Sequence, residues 1–265
     1  MHAFNYHRPK TLDEASSLLG QAEDGSLIAG GQSLLPTLRQ RLAAPSDLID
    51  LASIGELRGI EAGGDALSIG ATTRHAEVAA SADVKRAIPA LAELANHIGD
   101  HQVRNRGTLG GSVANNDPSA DYPAAVLGLG ATVVTSQREI AADDFFQDMF
   151  ETALEPGEII RAIRFPIPDQ AAYMKFANPA SRYALVGVFV SRKGGDVRVA
   201  VTGAGYSVFR AAEMEQALAA DFSPDAVAHI RVASDDLNSD MHASADYRAH
   251  LVTVMAKRAV EAAMR

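Results

Sequence analysis

The sequence contains no cysteine and no tryptophan, and aromatic residues make up only 6% of its 265 positions. Without thiols the chain has no disulfide, no thiolate nucleophile and no Cys-ligated zinc or iron–sulfur site. Any iron–sulfur redox partner must therefore sit on another chain. Positive charge is also scarce: 33 acidic residues face 24 lysines and arginines, for a formal net charge of −9. That balance argues against nucleic-acid binding, which begins with a basic stripe that displaces counterions from phosphates. A small anionic cofactor stays possible, because a local array of backbone N–H groups holds phosphate whatever the global charge. No segment approaches the roughly 18 apolar residues that cross a bilayer, and the opening MHAFNYHRPKTLDEA lacks a basic region followed by an apolar run. A cytoplasmic location, or docking at the inner face of the membrane, is the expectation.

What is present is the composition of an ordinary globular protein, 47% apolar and 22% charged. The length allows two compact units. Thr11 and Glu14 have capping-box spacing, and Leu12, Ala15, Leu18 and Leu19 recur on one face, which predicts a first helix ending near Gly20. Ser26–Ala29 reads as a strand that breaks at Gly30-Gly31 and resumes as a helix through Leu34, Leu35, Leu38 and Leu42. With a further strand at Leu48–Leu51, the start resembles a small βαβ-type unit. Ala66–Gly70 follows as a strand, and a long helical region runs to about Gly99, with Pro89 opening its second part. Residues 104–123 are too rich in Gly, Asn, Asp and Ser for a regular element, and too long for an idle turn. Strands are expected at Ala131–Thr135 and Ile159–Phe165, then a linker at Pro166–Asp169. Tyr183–Arg192 and Asp196–Thr202 form a hairpin about Lys193-Gly194-Gly195, and Ser223-Pro224 and Ser244 start two helices.

Several signatures fail by spelling. Gly203-Ala204-Gly205 and Gly128-Leu129-Gly130 begin the dinucleotide fingerprint but have Val208 and Val133 where it needs its last glycine, and no P-loop occurs. Gly205-Tyr206-Ser207 starts a serine-hydrolase elbow that fails at Phe209. His97 and His101 have metal-pair spacing, but the glutamate of HExxH is missing and Gly99-Asp100 ends the helix between them, so no metal ligand is predicted.

Two glycine-rich segments remain. Ala29-Gly30-Gly31-Gln32-Ser33 lies between strand and helix, where paired glycines let the backbone approach a phosphate or simply make a tight turn. The longer run from Arg104 to Pro123 packs glycines, the hydroxyls of Thr108, Ser112 and Ser119, three amides and two carboxylates into one stretch. That density suits a ligand with phosphates, ribose hydroxyls and a heteroaromatic edge; the alternative is a solvated surface loop.

On these residues the sequence resembles the FAD-binding medium subunits of the molybdenum hydroxylases, the family that includes those of aerobic carbon monoxide dehydrogenases and the flavin domain of xanthine dehydrogenases. The segments that carry the resemblance are FNYHRPKTLDEA, AGGQSLLPTLRQRL, QVRNRGTLGGSVANNDPSADYPA and HASADYRAHL. It covers essentially the whole chain. It implies an α+β architecture: a two-subdomain FAD-binding fold of the vanillyl-alcohol-oxidase (PCMH) type over residues 1–168, divided near 55, then a small domain over 171–265 with a three-stranded antiparallel sheet and helices.

By that resemblance Ala29, Gly30, Gly31, Gln32 and Ser33 wrap the pyrophosphate, and Thr108, Gly110, Gly111 and Ser112 face it from the other side. Asn115 and Asp121 bond the ribityl or adenosine portion, and Ile160 and Lys175 approach from the far edge. No catalytic residue is expected, because the implied role is electron transfer as an oxidoreductase subunit, from [2Fe–2S] clusters through FAD to an external acceptor. The implied partners are a large molybdopterin subunit and a small iron–sulfur subunit, as a dimer of heterotrimers. Two readings stay open for Lys175, a charge that stabilises reduced flavin or an exposed strand lysine. Tyr183 is likewise either a stacking residue at the flavin's open face or a core or interface tyrosine. The rival functions are a free-standing flavin oxidoreductase of the same fold and a non-redox nucleotide-binding regulatory module.

Overall fold

The computed structural model describes all of residues 1–265. The chain opens with β1 (Asn5–His7), α1 (Leu12–Gln21), β2 (Gly25–Ile28), α2 (Leu34–Arg39) and β3 (Asp47–Asp50). The three strands form a parallel sheet ordered β1-β3-β2. As the sequence predicts, Thr11 caps α1 by accepting from the Glu14 N–H.

The second layer is a five-stranded antiparallel sheet, built from β4 (Ile60–Gly63), β5 (Ala66–Gly70), β6 (Thr132–Thr135), β7 (Glu139–Ala141) and β10 (Ile160–Pro166) in the order β4-β5-β10-β6-β7. Between β5 and β6 run α3 (His75–Ala80), α4 (Ala82–Ala87), α5 (Pro89–Asn96), α6 (His101–Arg106), α7 (Leu109–Asn115) and α8 (Tyr122–Gly128). A short helix, α9 (Ala142–Phe145), and a hairpin of β8 (Phe146–Asp148) and β9 (Glu151–Thr152) precede β10. The long helical region expected before Gly99 is thus three short helices. Ser81 caps α4 by accepting from Val84 N–H, and Pro89 occupies the first turn of α5, so each break has a local cause.

The expectation that residues 104–123 hold no regular element is overturned at Leu109–Asn115, which is helical. Thr108 caps that helix, Leu109 and Val113 are fully buried, and Asn116 ends it in a left-handed conformation at φ 41°. Capping and burial outweigh the poor helix propensity of its glycines and asparagine.

The chain closes with β11 (Gln170–Ala177), β12 (Ala184–Lys193), β13 (Asp196–Thr202), β14 (Phe209–Arg210), α10 (Ala212–Ala220), α11 (Pro224–Val227) and α12 (Ala245–Ala263). The sheet has four antiparallel strands, not three, because the two-residue β14 pairs with β13. The hydrophobic run of β12 is covered on both faces, as buried strands require. Val186, Val188 and Val190 pack with α12, whereas Phe189 joins Tyr173 and Ala200 in the core beneath α5 and α8. Alternation along β11 likewise places Tyr173 and Lys175 on one face and Met174 and Phe176 on the other.

Candidate cofactor cleft

A cavity of about 420 Å³ is lined by the end of β2 and the turn into α2, by α7 and its flanks, by Ile160 at the start of β10, and by Ser181–Tyr183 in the loop between β11 and β12. Ala29, Gly30, Gly31, Gln32, Ser33, Thr108, Gly110, Gly111, Ser112, Asn115, Asp121 and Ile160 all line it. Lys175 does not. Its ammonium donates to Asp121 Oδ2 at 2.9 Å and to the His97 carbonyl at 3.1 Å, with only 4% of the side chain exposed. The exposed-lysine reading is therefore wrong.

The two glycine motifs touch directly. A Cβ on Gly30 would collide with the Arg106 carbonyl and lie 2.7 Å from Gly107 Cα, so this glycine lets the two loops meet. Gly31 is needed for another reason, its left-handed φ of 72°. Immediately after that turn, the backbone N–H groups of Gly30 to Leu34 make no hydrogen bond within the chain. A consecutive run of uncommitted donors at the uncapped start of α2 is an anion-binding array.

The first turn of α7 differs. Leu109 N–H donates to Thr73 O, Gly110 N–H to Ala71 O, Gly111 N–H to Thr108 Oγ1 and Ser112 N–H to Thr108 O. Motif two therefore offers the cleft hydroxyls and an absence of bulk rather than free amides. A Cβ on Gly110 would meet that of Ala71 at 2.5 Å, so Gly110 packs α7 against the loop after β5. Gly111 faces the opening: a Cβ there would meet Thr108 Oγ1 at 2.8 Å and otherwise only Ala29 Cβ, at 4.0 Å.

Arg182 is the only lysine or arginine in the lining. The carboxylates are each anchored. Asp121 accepts from the Tyr173 hydroxyl at 2.5 Å and from Lys175. Burial pushes its carboxyl up from the ordinary value, opposed by the Lys175 ammonium and the Tyr173 hydrogen bond. Burial also works to raise Glu158, but Arg138, Thr135 and the Glu155 N–H together hold it below the usual range. Asp117 accepts from Ser119 N–H and is raised by burial.

Sequence reasoning did not single out Thr72, His75, Ile98, Val103, Leu154 or Glu158, which also line the cleft. His75 is 4% exposed, and burial with the nearby Arg104 charge lowers its imidazole to about 4. Its Nδ1 has no partner, nor does the Tyr122 hydroxyl, and the two rings lie 5.3 Å apart. Nothing in a lone TRHAEV segment marks that histidine as a cleft residue. Tyr183 stands at the mouth, 49% exposed, with Ser181 and Arg182 beside it, so the core reading of that tyrosine fails.

The cleft thus joins a run of free N–H donors, hydroxyls and carboxylates able to bond sugar or polyol oxygens, and apolar walls from Ile28, Leu51, Ile98, Val103 and Ile160. An elongated ligand with phosphates, hydroxyls and a flat ring fits that order of surfaces.

Residues 2–168 match the family described as the FAD binding domain in molybdopterin dehydrogenase, and residues 171–263 the CO dehydrogenase flavoprotein C-terminal domain. The chain is 38% identical to the carbon monoxide dehydrogenase medium chain of Hydrogenophaga pseudoflava, covering 98% of this chain and 96% of that one. It is 37% identical to the nicotine 6-hydroxylase medium subunit of Paenarthrobacter nicotinovorans, over 97% and 96% of the two chains. Its backbone superposes with a TM-score of 0.87, at 37% identity and over 98% and 97% of the chains, on a structure of the Hydrogenophaga pseudoflava carbon monoxide dehydrogenase that lacks the Mo-pyranopterin moiety of the molybdenum cofactor.

Proposed function

Since the chain belongs to the FAD-binding medium subunits of the molybdenum hydroxylases, we propose that its cleft holds FAD and that electrons from a partner's iron–sulfur clusters leave through it to an external acceptor. The observation that carries the assignment within this chain is the array of free N–H groups from Gly30 to Leu34 beside a glycine-cleared α7. When bound, FAD supplies the capacity to pass electrons one or two at a time. The chain's own residues bind, orient and shield.

In this reading the Gly30–Leu34 amides, with the Ser33, Thr108 and Ser112 hydroxyls, hold the pyrophosphate. Charge neutralisation by N–H dipoles suits a lining with a single arginine. Asn115 and Asp121 bond ribityl or ribose hydroxyls, and each Asp121 oxygen keeps a second lone pair for that purpose. Ile160 packs against a ring, and Tyr183 covers the ring end at the mouth. Lys175 acts through Asp121, as the counter-ion that keeps a buried carboxylate charged. We place the FAD-binding unit at 1–168, its internal division near 55, and the second unit at 171–265.

Large molybdopterin-bearing and small iron–sulfur subunits are the partners; a dimer of heterotrimers is the assembly we propose. No helix is long and apolar enough to cross a membrane, and a cytoplasmic location is our assignment. The test is co-expression with the two partner reading frames. A yellow complex that releases FAD on denaturation is expected. A colourless complex, or one that releases AMP or ATP, would overturn the reading, and substrate turnover by the chain alone would favour a free-standing flavoenzyme.

A further inference from the structure

The C-terminal sheet grips the segment that connects α7 to α8. Gly203 N–H donates to the Pro118 carbonyl at 2.8 Å. The Thr202 hydroxyl lies 2.7 Å from the Ala120 carbonyl and 3.1 Å from that of Pro118. The grip ends on Asp121, at the edge of the cleft, where the Tyr173 hydroxyl and the Lys175 ammonium occupy one carboxylate oxygen each. Tyr173 is 1% exposed and Asp121 5%.

A glycine makes room for this contact. Gly187 sits mid-strand in β12, opposite Lys175 and Thr202, where glycine ordinarily weakens a sheet. A Cβ at that position would collide with the Tyr173 hydroxyl and lie 3.0 Å from its Cε2. Any other residue at 187 would push the phenol away from Asp121.

We propose that Tyr173 is a positioning residue for the cofactor, its hydroxyl fixing the Asp121 carboxylate at the cleft through the notch left by Gly187. The inference rests on the assignment of FAD to this cleft. By this account the C-terminal sheet sets FAD affinity as well as the glycine motifs do. The groups facing Asp121 are Tyr173 and Lys175 from β11, His97 at the end of α5, Tyr122 beside it on α8, and Tyr183 ahead of β12. Burial raises the Asp121 carboxyl, whereas Lys175, Tyr173 and His97 hold it down. Without the phenol hydroxyl one opposing group is lost, so the carboxylate takes up its proton at higher pH and cofactor binding weakens sooner on acidification.

The complex is purified with Tyr173→Phe, with Gly187→Ala and with both, its flavin removed, and FAD rebinding followed by flavin fluorescence from pH 5 to 8. A hydrogen bond to a charged group implies a dissociation constant raised about 10- to 100-fold in Tyr173→Phe, with the factor growing as pH falls. Gly187→Ala, which keeps the tyrosine but displaces its hydroxyl from Asp121, should reproduce the defect and add less to it in the Tyr173→Phe background. Equal affinity at every pH, or a loss by one constant factor across the range, would overturn the positioning role. Wild-type complex that takes up no FAD would overturn the cofactor assignment, and this inference with it.

Discussion

Replacing Gly111 with valine should deplete the protein of FAD while leaving it folded. The Gly111 N–H donates to Thr108 Oγ1 at 3.2 Å, the bond that caps α7, and a Cβ would stand 2.8 Å from that same oxygen. Weakening one cap costs about 1 kcal/mol. Glycine's own penalty within a helix, also about 1 kcal/mol relative to alanine, offsets part of this. The net effect on folding is therefore a shift in thermal midpoint of at most about 2–4 °C for a chain of this size. The effect on the cofactor is larger, because the only other atom within 4 Å of the new Cβ is Ala29 Cβ at 4.0 Å, so the added carbons occupy the space between the two glycine motifs. Extra methyl groups forced into a filled site cost about 1–3 kcal/mol, which is roughly a 5- to 150-fold loss of affinity. Alanine should fall near the low end and valine at or beyond the high end. Flavin-to-protein ratio after denaturation measures occupancy, and thermal midpoints are compared on flavin-stripped samples so that ligand stabilisation does not intrude. Full flavin occupancy in Gly111→Val would show that motif two does not face the cofactor.

Four further outcomes are expected. Denaturation and filtration should release all the yellow colour, since the chain has no cysteine and neither glycine motif carries a histidine; colour retained on the polypeptide would refute non-covalent binding. His75 is neutral when folded, held at about 4 against 6.5 in the open chain. Its contribution to stability is whole above pH 6.5 and declines by about 3 kcal/mol as pH falls towards 4, so the midpoint of His75→Gln should vary less with pH over that window than the wild type's. Lys175→Met strands the Asp121 charge and should cost about 3–5 kcal/mol, with Asp121→Asn recovering part of the loss; a midpoint equal to wild type would contradict a buried ion pair. The chain expressed alone should carry less FAD and melt lower than the chain expressed with its partners, and equal values would count against obligate assembly.

Much of the fold is legible from neighbouring residues. Thr11, Ser223 and Ser244 announce helix starts, Gly194-Gly195 announces a hairpin, a continuous apolar run marks β12 and alternation marks β13. Each signal works because capping, turn conformation and burial periodicity act over a few residues. α7 was hidden, since its glycines and asparagine spell a loop, and only Thr108, Ala71 and the buried Leu109 and Val113 make it helical. β11 was hidden for a related reason: its Ala-Ala-Tyr-Met-Lys-Phe run alternates two surroundings, one face under α5 and α8 and the other against α12, that exist only once the sheet is docked.

The amino-acid sequence by itself determined the family, the cofactor class and the two glycine-rich segments that line the cleft, because glycines and hydroxyls with a strict local role are clustered along the chain. Tertiary structure alone decided what those residues do. It set the backbone of Gly30 against that of Gly107, and left the Gly30–Leu34 amides free while committing those of α7. It also turned Lys175, which the sequence left as either a charge beside the flavin or an exposed strand lysine, into the buried partner of Asp121, 54 residues away. A carboxylate and an ammonium so far apart in sequence have no local reason to meet. They are joined by the packing of β11 beneath α8, where an unpaired charge would cost several kcal/mol and the pair with Tyr173 satisfies it.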